Sequence, residues 1–334
     1  MTDVGFGGGC RPAGPVPAVS IIVVAHDSAA DLPLALTSAV AQTGVSTEVL
    51  VVDNASRDAS GAVAALYAPR IRVLAMAKNL GFAGGMNAGI EATSGRYVLT
   101  LNPDCRLAPD FAATLVRRLD ARPDAGSASG RIWRGSGREL EPTSRLDSTG
   151  IVFTASGRHF DRGSEQVGEG RYLEEEEVAG TTAAAGLYRR EALESAKIST
   201  GYFDSDFFLY REDADLAWRL ARLGWKCLYV PSAVAWHRRR NLPDRRRGQS
   251  AEANRHSVKN RFLLRINNQT REEMIRTLVP TLARDLVVLG ACLTVERSSL
   301  PAFSWLWKNR RRLWAKRREI QRKVRNRAGE VAPP

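Results

Sequence analysis

Three acidic positions stand where apolar runs of the sequence end. Such runs predict strands that are buried on both faces, and the ligands of open α/β sheets bind at the carboxyl ends of the strands. A carboxylate placed there can accept a hydrogen bond from a ligand, or hold a hard divalent cation together with phosphate oxygens and waters. The runs and the residues that follow them are 19–24 with Ala25 and Asp27, 49–52 with Asp53, and 97–101 with Asn102 and Asp104. For Asp53, capping of the following turn is the structural alternative.

A glycine-rich segment separates the second and third of these positions. It runs from Asn79 to Asn87 and contains Gly81 and Gly84. Because glycine has no Cβ, backbone amides at the start of a helix could approach a ribose or a diphosphate there. The same glycines would also suit a tight bend. The GxGxxG fingerprint of a dinucleotide-binding dehydrogenase would follow the first strand, and residues 26–31 contain no glycine.

Two adjacent carboxylates, Glu212 and Asp213, stand at the start of a helical pattern. Asp215 and Arg219 have the spacing of a structural i, i+4 pair. Direct displacement at a sugar carbon needs one general base for the acceptor hydroxyl, and a carboxylate can serve as that base. The alternative is a helix start at which negative charge is favourable and has no chemical role. A glycosidase also uses two carboxylates, but it would not account for the other acidic and glycine-rich positions.

Taken in order from Ile21 to His237, these motifs closely resemble the inverting glycosyltransferases of family 2, nearest the bacterial rhamnosyltransferase-like branch. The resemblance implies a GT-A type fold and sugar transfer from a nucleoside-diphosphate donor. It assigns the general base to Asp213, the acceptor side to Glu212 and Gly186, and a divalent metal, Mg²⁺ or Mn²⁺, to Asp104 and His237. It implies a donor site formed by Ala25, Asp27, Asp53, Asn79, Gly81, Phe82, Gly84, Asn87, Asn102 and Asp104.

One position departs from the family pattern. The family often has Asp-x-Asp where this chain has Asn102 before Asp104, so one carboxylate is left to hold the metal. His237 matches a family histidine that can complete the metal or diphosphate site. Taken alone, a histidine beside arginines would be read as a surface residue.

The elements that must position these residues follow from periodicity. Strand-like and helical patterns alternate from 19 to 101, which predicts a mostly parallel, doubly wound α/β sheet. Residues 131–177 are irregular and polar, and 207–222 are predicted to be one helix. We expect a disordered leader at 1–18, a GT-A domain at 19–240 and a basic helical tail at 241–334.

The tail carries much of the charge. The chain has 49 Lys and Arg against 36 Asp and Glu, a net charge of +13, and the arginine clusters follow residue 238. Residues 303–327 interleave tryptophans with Lys and Arg, which is typical of a helix lying on an anionic membrane surface. A helical hairpin that packs on the catalytic domain is the alternative. Nucleic-acid binding is not expected, because no recognition motif for it is present.

Cysteine usage and the N-terminal composition bear on location. The four cysteines have no CxxC spacing, so neither a zinc site nor a disulfide framework is expected, and a reducing cytosol fits. The first 17 residues lack the charged and apolar regions of a signal peptide. We therefore expect a cytoplasmic protein, peripheral at the inner face of the membrane.

The function predicted from the sequence is inverting transfer of a sugar, with rhamnose as the nearest analogy, to a hydroxyl of a polysaccharide or polyprenyl-linked acceptor in cell-envelope glycan synthesis. The alternative is a non-catalytic protein that binds a nucleotide sugar or an anionic surface. The sugar, the linkage and the oligomeric state are left open by the sequence.

Overall fold

A central β-sheet organises the described part of the chain, which in this computed structural model comprises residues 16–239 and 250–331. The predicted leader falls almost entirely outside these residues, as does the predicted domain boundary at residue 240. The strands are β1 Val19–Ala25, β2 Thr47–Asp53, β3 Arg72–Ala75, β4 Tyr97–Leu101, β5 Cys105–Leu107, β6 Ala125–Ser136, β7 Glu141–Ser148, β8 Ile151–Phe153, β9 His159–Asp161, β10 Glu176–Val178, β11 Ala185–Arg189 and β12 Lys226–His237.

Helices cover both faces of this sheet and continue beyond it. They are α1 Leu32–Val40, α2 Ser60–Ala65, α3 Gly81–Glu91, α4 Phe111–Ala121, α5 Arg190–Ala196, α6 Glu212–Arg222, α7 Ala251–Asn268, α8 Arg271–Arg276, α9 Leu278–Thr294 and α10 Pro301–Val331. A short 3₁₀ turn at Arg297–Ser299 separates α9 from α10.

The strand order is β10-β12-β6-β11-β4-β1-β2-β3, with β5 beside β12 and β7 beside β6. Strands β1 to β4 run parallel, as the alternating pattern predicts, and β12 runs parallel to β6. Strand β11 is antiparallel to both of its neighbours, so the sheet is mixed rather than uniformly parallel.

Two apolar cores explain the continuous apolar run of β1. Alternate residues of a strand point to opposite faces of the sheet. Ile21 packs with α1 and α4 on one face, and Ile22 packs with α3, α5 and α6 on the other. The predicted doubly wound α/β class is therefore confirmed.

The segment 131–177 differs from the sequence prediction. It was predicted to be irregular, but it contains the end of β6, the whole of β7 to β9 and the first two residues of β10. These two residues, Glu176 and Glu177, are the last of four consecutive glutamates, and they pair with Arg162 and Arg122. Short strands with little apolar alternation carry a weak periodic signal, which is why the pattern missed them.

Two helix starts also differ from prediction. Helix α6 begins at Glu212, so the predicted helix at 207–222 was wrong over its first five residues. Phe208, Tyr210 and Arg211 have positive φ angles of 66°, 68° and 74°, which no α-helix accommodates. The pattern predicts a helix at residues 87–92, but α3 begins at Gly81, so Gly81 and Gly84 lie in its first turns.

The C-terminal helices pack on the rest of the chain. Leu313 of α10 and Leu263 of α7 share an apolar cluster with Ile151 and Phe207. Beside this cluster, Lys316 pairs with Asp204 and with Asp206 at 2.7 Å. One face of α10 therefore packs on the rest of the protein, as the alternative to a membrane-bound tail predicts. None of the described helices is by itself long and apolar enough to cross a bilayer. Helices α9 and α10 have the required length and composition when taken together, but they are bent by 113° to one another.

Candidate functional site

The carboxyl ends of β1 and β2 bring Ala25 and Asp53 into register as neighbours. Asp53 Oδ1 accepts a hydrogen bond from the Ser56 amide at 3.0 Å, so one carboxylate oxygen does cap the following turn. Asp27 lies just beyond β1 and accepts hydrogen bonds from the Arg57 amide at 2.7 Å and the Arg57 guanidinium at 2.9 Å. These bonds from Arg57 lower the pKa of the Asp27 carboxyl to about 2. Both side chains are partly exposed, in keeping with a ligand-facing edge.

Asn54, a buried residue with no predicted role in the site, organises the start of α3. The Asn54 amide donates to Asn79 Oδ1 and to the Gly81 carbonyl, both at 3.0 Å, and Asn54 Oδ1 accepts from the Leu80 amide at 2.9 Å. Asn79 Oδ1 also accepts from the Gly81 amide at 2.7 Å. Asn79 is thus placed near the carboxyl end of β2 and is engaged there by the protein itself.

Phe208 covers the N-terminus of α3. Its carbonyl accepts a hydrogen bond from the Ala83 amide at 3.2 Å. A Cβ added at Gly81, whose φ is +71°, would lie 2.3 Å from that same carbonyl oxygen. Farther along the helix, a Cβ at Gly85 or Gly89 would strike side chains of the sheet, and one at Gly84 would strike Leu80. The glycines therefore permit close packing of α3 on the sheet, and the α3 amide nearest Phe208 is already bonded.

The other two predicted donor residues on α3 face the segment before α6. Asn87 accepts from the Phe203 amide at 2.9 Å and donates to the Phe203 carbonyl at 2.8 Å. Phe82 contacts the same Phe203 edge to face, with ring centroids 6.2 Å apart. In this structure Asn87 fastens residues 200–203 to α3, and its predicted contact with a donor stays a prediction.

Asp104 and His237, the two residues predicted to hold a metal, lie beside one another just beyond β4 and at the end of β12. Asp104 Oδ1 lies 3.2 Å from His237 Nε2, and the Cys105 sulfur is within 4.8 Å of both ligand atoms. Burial acts to raise the pKa of Asp104, but the positive charge on His237 outweighs it and holds the pKa below its usual value. Burial also raises the pKa of the Cys105 thiol to about 11, so this sulfur stays protonated at neutral pH.

Asp147, which the sequence did not single out, binds the other side of His237. Its Oδ2 lies 2.7 Å from His237 Nδ1, and its side chain is almost fully buried. Burial disfavours charge on His237, yet the carboxylates on both sides raise its pKa well above the ordinary value. A carboxylate on the far nitrogen fixes the ring orientation and the tautomer of a metal-ligating histidine.

Arg239 connects this cluster to the candidate base. Its guanidinium lies 3.3 Å from Asp147 Oδ1 and 2.6 Å from Asp161 Oδ2. Asp161 is in turn close enough to Asp213 to affect its ionisation. His237, Asp147, Arg239 and Asp161 thus form one charged network.

Glu212 and Asp213 open α6. Burial, followed by the Asp161 charge, raises the pKa of Asp213 to about 6, against the opposing effect of the Ala214 and Ala183 amides. Burial and the Asp213 charge raise the pKa of Glu212 well above its ordinary value, and Glu212 Oε2 is buried without a hydrogen-bond partner. Within this coupled pair, the environment favours the protonated form at Glu212 more strongly than at Asp213.

Two consecutive alanines join Asp213 to the end of β4. The Ala183 amide donates to Asp213 Oδ2 at 3.3 Å, and the Ala184 carbonyl accepts from the Asn102 amide at 2.9 Å. Asn102 and Asp213 therefore lie at the same edge of the sheet. Gly186, predicted on the acceptor side, is buried within β11, and a Cβ there would lie 2.7 Å from the Thr182 carbonyl. Gly186 therefore serves close packing inside the sheet. Ala183 is the residue of this segment that contacts Asp213.

Residue Asn260 of α7 holds the turn that leads to Glu212. Its side-chain amide nitrogen lies 2.9, 2.8 and 2.8 Å from the carbonyl oxygens of Phe207, Leu209 and Tyr210, so its two N–H groups are shared among three acceptors. These carbonyls belong to the segment 207–211, which contains the three residues with positive φ angles. Strained backbone persists only where its surroundings fix it, and such runs cluster at functional sites.

Comparison with known proteins identifies the family of this chain. The model for glycosyl transferase family 2 matches residues 20–196, more than half of the chain. The chain belongs to that family and carries its glycosyltransferase domain, and its mixed α/β sheet has the GT-A type of fold, as the resemblance implied.

Curated relatives resemble the chain over part of their length. The succinoglycan biosynthesis protein ExoO of Rhizobium meliloti is 44% identical over 107 residues, 32% of this chain and 31% of that protein. The N-acetylglucosaminyl-diphospho-decaprenol L-rhamnosyltransferase of Mycobacterium tuberculosis is 28% identical over 233 residues, 65% of this chain and 75% of that protein. The chain thus spans under a third of the first relative and three quarters of the second.

Solved structures agree in fold. The structure of GalNAc-T7 with UDP, GalNAc and Mn²⁺ aligns with a TM-score of 0.57 and 15% identity over 76% of this chain and 48% of that one. The structure of S. aureus TarS 1-349 in complex with UDP-GlcNAc aligns with a TM-score of 0.53 and 16% identity over 92% of this chain and 88% of that one. At these identities the likeness is one of fold alone.

Proposed function

We propose that this protein transfers a sugar, with inversion, from a nucleoside-diphosphate donor to a hydroxyl of a glycan or lipid-linked acceptor. The observation that carries the proposal is a half-buried carboxylate, Asp213, whose pKa of about 6 suits a general base. It shares one sheet edge with the Asp104–His237 pair through the backbone of Ala183 and Ala184.

The reaction is a single displacement. Asp213 takes the proton of the acceptor hydroxyl as the acceptor oxygen bonds to the anomeric carbon. The bond from that carbon to the donor's diphosphate breaks on the opposite face, and its electron pair leaves with the nucleoside diphosphate. Glu212, whose raised pKa favours the protonated form, lies beside Asp213 on the proposed acceptor side. No covalent sugar–enzyme intermediate is needed.

The donor is proposed to lie along the carboxyl ends of β1, β2 and β4. Asp53 keeps a second carboxylate oxygen for the base or ribose of the nucleotide, since only Oδ1 is used by the Ser56 amide. Asp27 and Arg57 form an ion pair beside it, and the arginine offers positive charge to a diphosphate. Asn102 lies between this strip and Asp104.

The residues present fit a divalent metal. Asp104 Oδ1 and His237 Nε2 converge, and a carboxylate with an imidazole suits Mn²⁺ or Mg²⁺ completed by diphosphate oxygens and waters. The Cys105 sulfur lies within 4.8 Å of both atoms, but thiolate ligands select softer metals than Mg²⁺ or Mn²⁺. When bound, the ion would neutralise charge on the departing diphosphate. Asp147 would orient His237. We expect excess chelator to stop transfer, and undiminished turnover in chelator would remove the metal from this proposal.

The relatives narrow the substrates to be tried. A rhamnosyltransferase that acts on a decaprenol-linked acceptor supports a deoxythymidine diphosphate-rhamnose donor and a polyprenyl-linked acceptor in cell-envelope synthesis. Relatives named N-acetylglucosaminyltransferase support UDP-N-acetylglucosamine as the second donor to test.

We further propose that the enzyme works in the cytoplasm at the inner membrane surface. A lipid-linked acceptor requires access to a bilayer, and the exposed side of α10 is rich in Lys and Arg. Because Leu313 and Ile320 are buried against the domain, only the opposite side of α10 is available to lipid.

The test is a panel of nucleotide sugars read by release of nucleoside diphosphate. We expect Asp213→Asn to reduce turnover at least about a hundredfold with little change in donor affinity, because the base acts on the transition state. The matched control is Asp110→Asn, the same change at the exposed start of α4. Turnover of Asp213→Asn near that of the control would remove Asp213 as the base. Donor binding without turnover of any sugar would favour the non-catalytic alternative.

A further inference from the structure

Helix α9 presents an apolar surface that the rest of the described chain leaves uncovered. Val279 is 78% exposed and Leu286 67% exposed, far more than large aliphatic side chains in a helix that packs against its own protein. The preceding helix α8 adds Ile275, 66% exposed. Contiguous patches of this kind mark interaction sites.

Most of the exposed apolar residues of α9 form one face, and Val287, 72% exposed, lies outside it. At 3.6 residues per turn, six of them fall within an arc of about 100°. This apolar face of α9 consists of Leu278, Val279, Leu282, Leu286, Leu289 and Leu293.

A different stripe of the same helix attaches it to the protein. Cys292 and Val288 pack with Val258 and Phe262 of α7. Asp285, on the same stripe, accepts hydrogen bonds from Arg265 at 2.7 and 2.9 Å. The attachment holds α9 in place and turns its apolar face away from the domain.

The helix that follows α9 is strongly basic. Residues 301–327 contain eleven Lys and Arg and one acid, Glu319. That glutamate is engaged by the amide and hydroxyl of Ser199, at 2.8 and 2.7 Å. The start of α10 packs with α9 through Ala302 and Phe303, and Lys308, Arg310 and Arg311 farther along α10 are exposed, so α10 presents positive charge to solvent.

Exposed tryptophans accompany the cations. Trp307 is 68% exposed, with the Arg310 guanidinium 4.3 Å from its ring centroid, and Trp314 is also exposed. Indole rings beside cations are typical of segments at the headgroup level of a bilayer.

We propose that the apolar face of α9 inserts into the interface of an anionic bilayer while the exposed cations of α10 bind its headgroups. The charge distribution favours this occupant over a second copy of the chain, since two copies joined through α9 would bring their basic α10 surfaces toward each other. The sequence pattern pointed to residues 303–327 as the element on the membrane. The structure assigns the apolar insertion to α9 and leaves α10 a supporting electrostatic role.

This inference rests on the proposed function only for its purpose, which is to bring the active site to a lipid-linked acceptor. Membrane binding is measured without donor or acceptor, so its failure is distinct from a failure of sugar transfer.

The experiment is co-sedimentation of the full chain with vesicles of phosphatidylcholine, with and without phosphatidylglycerol. We expect binding to the anionic vesicles. The double change Leu282→Glu with Leu286→Glu should lower the partition coefficient by about tenfold or more, because it puts two charges into the inserted face. The matched control is Leu66→Glu, a change of the same kind at a side chain 82% exposed at the end of α2.

Each outcome decides the matter. Loss of binding in the double variant but not in Leu66→Glu, with equal thermal stability, supports the proposal. Equal partitioning of the double variant and wild type overturns it, as does no binding by wild type. If wild type is dimeric by light scattering and the double variant monomeric, with neither on vesicles, the face joins two copies and the lipid proposal is wrong.

Discussion

The pH dependence of transfer should report the ionisation of Asp213, and its neighbours should move that ionisation in opposite directions. Asp161 helps to raise the pKa of Asp213 to about 6, whereas the positive charge of Arg239 lowers it. Asp161→Asn removes a negative charge and leaves Arg239 without that partner, so both effects lower the pKa of Asp213. Arg239→Gln should raise it by the same logic.

The size of the effect follows from the titration curve. A base is active when deprotonated, so kcat/KM should fall about tenfold per pH unit below about 6. At pH 5 about one tenth of the base is ionised. If Asp161→Asn lowers the pKa by about one unit, about half is ionised at that pH. Relative to its own plateau, this variant should therefore be about fivefold more active than wild type at pH 5.

The assay is initial-rate release of nucleoside diphosphate at low substrate concentration from pH 4.5 to 8, with circular dichroism at each pH to confirm folding. Such kcat/KM profiles report the free enzyme. An acid limb centred near the ordinary aspartate pKa in wild type would refute the raised pKa. An upward shift in Asp161→Asn would refute the electrostatic reasoning even if the wild-type midpoint were near 6.

Three other perturbations test the surroundings of the site. Asp147→Asn should weaken Mn²⁺ binding by about tenfold to a hundredfold, because it loosens the orientation of His237. The measurement is calorimetric titration with the metal alone, and an unchanged affinity would show that Asp147 does not have this role. Asn260→Ala removes the amide that the carbonyls of Phe207, Leu209 and Tyr210 share, so kcat should fall at least about tenfold while donor affinity holds. Asn254→Ala, six residues earlier on α7, is its control, and a change in stability without one in kcat would contradict a positioning role. Gly81→Ala places a Cβ 2.3 Å from the Phe208 carbonyl at a φ of +71° and should lower the free energy of unfolding by about 1–3 kcal/mol or more, measured by urea denaturation; a change under half that would show that the turn at Phe208 yields easily.

The sequence by itself determined the class of fold and the positions of the main acidic residues. Strands covered on both faces must be continuously apolar, so β1, β2 and β4 could be predicted from the sequence. Asp27, Asp53 and Asp104 lie at or just beyond the carboxyl ends of these strands, where ligands of open α/β sheets bind. The adjacent carboxylates Glu212 and Asp213 were legible for a related reason, since they open an amphipathic helix.

Only the tertiary structure decided what surrounds those residues. Asp147 and Asp161 belong to short strands with no clear periodicity, and Asn260 to a helix distant in sequence, so no local pattern associates them with His237 or Asp213. The raised pKa of Asp213 and the covering of α3 by Phe208 likewise arise from long-range packing. The tail shows the same division. The sequence shows the apolar and basic residues of the tail, but it does not show which of them are buried. An amphipathic pattern indicates that a face must be covered, and only the packed chain decides which face is left for another partner.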